Sequence, residues 1–371
     1  MDAKTLFSFL GYSPSEPDFD AFLTENRVFD RPHTPKEDEV WSVDDRDEDE
    51  ETEEEYRTRK RNDAERNAED SLIEEVERFS ICLIYDHIDD YQKLYTPIPS
   101  KGEFVLKQIA FYAKGVKGYL GYAGLLPWAL MFSMSRSIVH QRLGQPYASR
   151  IIHELSADLY FLGDFVVNIS YLNEGESIGV VHVRKQHFYD LRMLGKKEVT
   201  YDHRAIDLQE LIKCLGSSAY DVTLESLLEP MGWQSSDFAM ADCDEVPNLI
   251  RRYGIALYYR PSRDFESLAK QQFLGDGTVF AGFRVNRRGD MHSEGFDGKL
   301  PCDLQFHDSP GVSIKKIGKE PDWKSIGDDI GSCKWKLPGY ILHVMYSLID
   351  CQIYRVSCFA KFMEAELFKL K

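Results

Sequence analysis

Short runs in which apolar and β-branched residues dominate or alternate with polar ones recur along the chain, and this pattern predicts β-strands. Eight such runs, four in each half of the chain, are Phe79–Tyr85, Phe104–Tyr112, Phe165–Tyr171, Ile178–Arg184, Tyr253–Tyr259, Val279–Val285, Tyr340–Tyr346 and Ile353–Phe359. Because side chains on a strand point alternately to opposite faces, each sheet can bury one face and leave the other available to a partner.

A short helix is predicted before the last two strands of each half. Ser135 and Ser309 stand where a hydroxyl group would cap a helix N-terminus, and Pro310 suits the first helical position. Gly144 and Gly318 stand where a left-handed residue would end the helix. A helix of about eight residues is marginal alone, so we expect it to pack on a sheet.

The two halves of the chain are diverged copies of each other. The segment Leu126-Pro-Trp-Ala-Leu-Met-Phe132 is matched 174 positions later by Leu300-Pro-Cys-Asp-Leu-Gln-Phe306. An offset of 174 or 175 holds over roughly a hundred residues, and a chance match would not keep it over that length. At the start of each copy Leu10-Gly-Tyr-Ser13 resembles Leu215-Gly-Ser-Ser218, but at an offset of 205. The first copy therefore carries about thirty additional residues before its first strand.

These patterns predict an α+β fold made of two tandem diverged repeats, each a roughly four-stranded antiparallel sheet with helices packed on one face. The first repeat covers residues 1–190 with an insertion at about 36–66, residues 191–206 form a connection, and the second repeat covers 207–371. Residues 63–78 have helical periodicity, so we expect a helix there that returns the chain to the sheet.

Residues 37–55, within the insertion, carry most of the net negative charge of the chain. The net charge is −17, and residues 37–55 hold thirteen Asp or Glu and one Arg. A solvated, disordered loop fits this composition, and so does a mimic of a polyanion that is steered to a cationic cleft, with Trp41 and Tyr56 as anchors. The candidate partner-binding residues are Trp41, Asp44, Asp45, Asp47, Glu48, Asp49, Glu50, Glu51, Glu53, Glu54, Glu55 and Tyr56.

The sequence contains no motif that points to catalysis. GxxxxGK[ST], GxSxG and HExxH are absent. The ten histidines and seven cysteines do not follow metal-ligand spacing, so hydrogen-bonding histidines and inert, mostly buried thiols are expected. An enzyme would need a cluster of titratable groups, for which the sequence offers no candidate. We therefore predict no catalytic residues, no metal, no cofactor and no enzymatic activity.

Charge and hydropathy also limit the partners and the compartment. The acidic balance argues against direct binding of nucleic acid. The longest largely apolar run, Leu125–Met134, is too short to span a membrane, and no basic segment followed by a long apolar run opens the sequence. Cysteines without CxxC spacing suit a reducing compartment. We expect a cytoplasmic protein without a membrane partner.

The element Leu-Pro-x-x-Leu-x-Phe-x-x-Ser at 126–135 and 300–309, with the helix and aromatic-led hairpin that follow, resembles two groups of proteins. These are outer-membrane assembly lipoproteins of the SmpA type and the tandem β-lactamase inhibitory proteins. The longer pattern Phe111-Tyr-Ala-Lys-Gly-Val-Lys-Gly-Tyr119, leading to Gly124-Leu-Leu-Pro127-Trp, is similar to intracellular immunity proteins of bacterial polymorphic toxin loci. This resemblance implies a protein that binds a cognate toxin and occludes its active site. If the insertion is a polyanion mimic, the toxin's cleft would be cationic and would bind nucleic acid or a nucleotide. The alternative is a non-catalytic scaffold or interaction module with a non-toxin partner.

Overall fold

The computed structural model describes residues 1–33, 72–95, 100–152, 155–202, 205–233, 247–265, 267–268, 271–273, 277–327 and 330–368. The chain divides into two compact units, Met1–Gln186 and His187–Lys371. Residues 187–202, which include part of the predicted connection, belong to the second of these units. The candidate partner-binding residues from Trp41 to Tyr56 lie outside the described residues.

The first unit contains one antiparallel sheet of seven strands in the order β1-β2-β3-β7-β6-β5-β4. The strands are β1 Leu72–Val76, β2 Ile81–His87, β3 Phe104–Tyr112, β4 Ala148–Ile152, β5 Leu155–Leu162, β6 Phe165–Leu172 and β7 Ser177–Lys185. The α-helices described in this unit are α1 Ala3–Ser8, α2 Pro17–Glu25, α3 Ile88–Leu94 and α4 Arg136–Leu143.

The core of the first unit lies between one face of this sheet and helices α1, α2 and α4. Phe19 of α2 and Val139 of α4 are completely buried in it, together with alternate residues of the central strands. Phe7 of α1 contacts the rings of Phe111 and Phe165 at centroid distances of 6.0 and 5.7 Å. Burial of this apolar surface keeps the short helices in place, since helices of six to nine residues are marginal alone.

The second unit contains an antiparallel sheet of six strands in the order β10-β11-β12-β13-β9-β8. The strands are β8 Ile255–Pro261, β9 Thr278–Asn286, β10 Trp323–Ile326, β11 Ile330–Lys336, β12 Tyr340–Ser347 and β13 Gln352–Ala360. The α-helices described here are α5 Phe188–Met193, α6 Leu208–Lys213, α7 Val222–Leu228, α8 Pro247–Tyr253, α9 Pro310–Ile317 and α10 Glu364–Leu367.

The two units share one topology, which confirms the predicted α+β fold of tandem repeats. The order β2-β3-β7-β6-β5-β4 in the first sheet corresponds to β8-β9-β13-β12-β11-β10 in the second. The strand register is also irregular at matching places: between Ile84 and Tyr85 and between Tyr258 and Tyr259, 174 positions apart. A second pair of irregularities follows Ser170 and Met345. Bulges are kept within related folds because they set the bend and twist of a strand.

The predicted number of four strands per sheet is wrong, although all eight predicted strands are present. The additional strands are β1, β4 and β5 in the first sheet and β10 and β11 in the second. In β11, for example, polar and charged residues such as Ser332 and Lys334 alternate with the buried ones, so the apolar signal is weak. The predicted helix at 63–78 is also wrong where it is described, because residues 72–76 pair with β2 as a strand.

The predicted eight-residue helix is present in both copies as α4 and α9. In α9 the hydroxyl of Ser309 accepts the N–H of Val312 at 3.4 Å, and Gly318 ends the helix in the left-handed conformation, as predicted. Ser135 occupies the same position before α4, but its side chain makes no capping hydrogen bond. Gly144 has φ 87° and ψ −170°, so the predicted left-handed cap is wrong for the first copy.

Candidate functional site

A buried carboxylate in the first unit is surrounded by hydrogen-bond donors. Asp158 on β5 is completely buried. Arg136, the first residue of α4, donates to its two oxygens from Nε at 3.0 Å and from Nη2 at 2.6 Å. The Nε2 of His140 lies 2.6 Å from Oδ2, and the hydroxyl of Ser149 donates to Oδ1 at 2.7 Å. The carboxylate thus joins α4 to strands β4 and β5.

The donors keep Asp158 charged. Burial alone would raise its pKa, but the hydrogen bonds, led by those from Arg136, outweigh burial and lower the pKa. Burial and the charge of Asp158 raise the pKa of the adjacent Tyr160 to about 12. A carboxylate of low pKa whose lone pairs are already engaged is a poor general base, so the arrangement suits a structural link. The second copy has Cys333 at the position of Asp158, so it does not repeat this network.

The second unit holds another buried group of titratable residues. His187 and Asp190 form a capping box at the start of α5, in which Asp190 accepts the backbone N–H of His187 at 2.8 Å. Gln352 on β13 donates to Asp190 at 2.9 Å. Asp350 accepts a hydrogen bond from Arg287 at 3.0 Å and lies 4.0 Å from the Nε2 of His187.

This second group also has the character of a structural tie. Burial disfavours the charge of Arg287, but the carboxylate of Asp350 outweighs that effect and raises the pKa of the guanidinium. Each of the two carboxylates is held by a donor on another element, so α5 is fastened to the β12–β13 hairpin. No such cluster was expected, because Asp190 and Gln352 are 162 positions apart and no local spacing connects them.

Several of the described histidines take part in hydrogen bonds, as expected from the sequence. The Nδ1 of His182 lies 3.0 Å from the amide nitrogen of Gln108, and the Nε2 of His343 lies 2.5 Å from the hydroxyl of Ser332. Across the described ranges, no three His, Cys, Asp or Glu residues are grouped so that they could hold a metal ion. Of the six described cysteines five are buried, and Cys302 is half-buried.

The Leu-Pro-x-x-Leu element forms a strained turn with the same backbone in both copies. In the first copy Trp128 and Ala129 have φ values of 55° and 54°. In the second copy Cys302 and Asp303 have φ values of 57° and 56°. The left-handed region is unfavourable for a bulky residue such as Trp128, and strained backbone of this kind concentrates at functional sites.

The two copies of this turn differ in what they present to solvent. In the first copy the side chains of Leu120, Leu125 and Met131 are 76%, 88% and 56% exposed. The residues 174 positions later are Glu294, Lys299 and Gln305, which are all polar. We call residues 120–131 the apolar loop. The fold does not require these exposed apolar side chains, because the second copy has the same fold with polar residues in their place.

Comparison with known proteins identifies no family for this chain. No protein-family model matches it, and no curated protein shows significant similarity. Among solved structures, a DUF4309 family protein (YjgB) from Bacillus subtilis subsp. subtilis str. 168 shows similarity at 8% identity and a TM-score of 0.20. The match covers 31% of this chain and 64% of that protein, and at this TM-score it carries no argument about function.

Within the part of the chain that the structure describes, no helix has the length and apolar character needed to cross a membrane.

Proposed function

We propose that this chain is a cytoplasmic immunity or inhibitor protein, without enzymatic activity or cofactor, that binds a protein toxin and covers its active site. The apolar loop of the first unit makes the principal contact in this proposal. The resemblance of residues 111–128 to immunity proteins supports the toxin as the partner, and the apolar loop supports a protein interface.

The observation that carries the proposal is the contrast between the two copies. Leu125 is 88% exposed and contributes little to the core of the unit, whereas Leu126 beside it is buried. Full burial of such a leucine in a complex would contribute about 2 kcal/mol. Exposed apolar groups of this kind are typical of protein–protein interfaces. The equivalent Lys299 in the second copy shows that a charged residue is compatible with the turn.

The acidic segment 37–55 has a second role in this proposal. A concentrated negative charge accelerates association with a cationic cleft, whereas buried apolar contacts slow dissociation. The two elements would therefore act on different rate constants of one complex. Trp41 and Tyr56 would add anchors beside the charge.

The test is co-expression of the chain with the protein encoded by its neighbouring open reading frame, followed by growth measurement and co-purification. We expect the neighbour to arrest growth alone, to be tolerated together with this chain, and to co-purify with it. The variant Leu125→Asp should weaken the complex at least about 30-fold, which corresponds to loss of an interface hot spot of about 2 kcal/mol. Val222→Asp is the matched control, since Val222 is 72% exposed in the second unit.

The outcomes separate the alternatives. If the neighbour is harmless but co-purifies, the chain is a scaffold and the inhibitor proposal is wrong. If Leu125→Asp and Val222→Asp both bind the neighbour as tightly as the unaltered chain does, the apolar loop is not the interface. Deletion of residues 37–55 should lower the association rate, and this reduction should shrink as salt concentration rises.

A further inference from the structure

Three cationic side chains of the second unit converge on one aromatic ring. The guanidinium of Arg192, the ammonium of Lys197 and the guanidinium of Arg288 lie 4.2, 4.1 and 4.9 Å from the ring centroid of Phe188. Each contact is favourable alone, but like charges this close repel one another. Desolvation, followed by the charges of Arg192 and Arg288, lowers the pKa of Lys197.

The protein balances only part of this charge. Arg288 forms an ion pair with Asp297 at 3.0 Å. Among the described residues, no carboxylate pairs with Arg192 or Lys197, so the cluster keeps two uncompensated positive charges. The Nε of Arg192 is buried and donates to none of the described residues, and the Nδ1 of the nearby His307 is likewise buried without a hydrogen bond. A buried donor without an acceptor, as the Nε–H of Arg192 is, is costly, which favours an anionic ligand.

A cavity adjoins this cluster at Arg288. Its volume is about 690 Å³, which is within the range of small-molecule sites. Tyr253 and Phe296 contribute aromatic surface, Asp202, Glu294 and Asp297 contribute carboxylates, and Arg252 contributes a guanidinium beside that of Arg288. The three carboxylates outnumber the two guanidiniums, so the lining disfavours further negative charge inside the cavity.

We propose that Arg192, Lys197 and Arg288 bind a phosphoryl group, and that the adjoining cavity holds the rest of a phosphorylated small molecule. A phosphoryl dianion matches the two uncompensated charges, whereas a carboxylate neutralises only one. Guanidinium groups also offer paired donors with the spacing of phosphate oxygens. The carboxylates of the cavity favour an organic part that is neutral or positively charged. This site is independent of the protein-binding function proposed above.

Isothermal titration calorimetry of the full chain with inorganic phosphate, acetate, O-phosphoethanolamine and 3-phosphoglycerate tests the proposal. We expect phosphate to bind more tightly than acetate, and phosphoethanolamine more tightly than phosphoglycerate, which brings an additional carboxylate. Lys197→Gln and Arg192→Gln should each weaken phosphate binding about tenfold or more, as loss of a charge-assisted hydrogen bond predicts. Lys196→Gln is the matched control, because Lys196 is an exposed neighbour outside the cluster.

Lys197 is exposed, so its substitution leaves the fold intact, and circular dichroism would verify this. Absence of phosphate binding would overturn the proposal, and so would equal losses in Lys196→Gln and Lys197→Gln. Acetate binding as tight as that of phosphate would refute the phosphoryl class.

Discussion

Replacement of the buried Asp158 tests whether its network stabilises the first unit. Asp158→Asn keeps the shape of the side chain but removes the charge that Arg136, His140 and Ser149 surround. Breaking a buried ion pair costs about 3–5 kcal/mol. The side chains of Arg136 and His140 are 20% and 25% exposed, so water recovers part of that loss. We therefore expect the free energy of unfolding of the first unit to fall by about 2–3 kcal/mol.

Because the chain has two compact units, one unfolding transition need not report both. Hydrogen exchange followed by mass spectrometry resolves the first unit through peptides that cover α4 and β5. Their exchange should accelerate about 30- to 100-fold in the variant, whereas peptides from β12 and β13 should not change. Glu320→Gln is the control, since the Glu320–Lys324 pair is exposed and should contribute less than about 0.5 kcal/mol.

The pH dependence gives a second criterion for Asp158. Its pKa is lower in the folded protein than the ordinary value of 3.8, so its contribution is complete above that value. The contribution is lost as the pH falls through the folded pKa. The difference between the unaltered chain and Asp158→Asn should thus be constant near neutral pH and shrink below about pH 4. A variant within about 0.5 kcal/mol of the unaltered chain at pH 7 would refute the reasoning.

Three further predictions concern the second unit. Burial, with a smaller effect of Lys334, lowers the pKa of His343 to about 4, so stability should fall as pH drops from 6.5 toward 4. In His343→Asn, chemical denaturation should show a loss of stability between pH 6.5 and 4 that is smaller by up to about 3 kcal/mol than in the unaltered chain. An unchanged pH profile would contradict this prediction. In Gly295→Ala the new methyl group would lie 2.7 Å from a backbone nitrogen. This variant should therefore lower the free energy of unfolding more than Gly339→Ala, where φ is 94° but no atom lies within 4 Å of the new methyl group. Gly311→Ala has space within α9 and should raise thermal stability by about 0.5–1 kcal/mol; lower stability would refute this.

The sequence alone determined the tandem α+β organisation and four adjacent strands of each sheet. Strand β6 and its copy β12 are identified from a few consecutive residues, because apolar periodicity is a local property. Helix α9 could be predicted for the same reason, since Ser309, Pro310 and Gly318 act on the backbone next to them. The offset of 174 residues then relates one unit to the other.

The tertiary structure decided which residues of distant segments meet. Leu72–Val76 could form a helix or a strand by its pattern, and pairing with β2 selects the strand. The contacts of Asp158 with α4 and of Arg288 with Phe188 join residues far apart in the chain. Exposure is also a tertiary property, because Leu125 and Leu126 are adjacent and equally apolar, yet only Leu126 is buried. Periodicity and capping depend on neighbours in sequence, whereas burial, ion pairing and the candidate sites depend on how the elements pack.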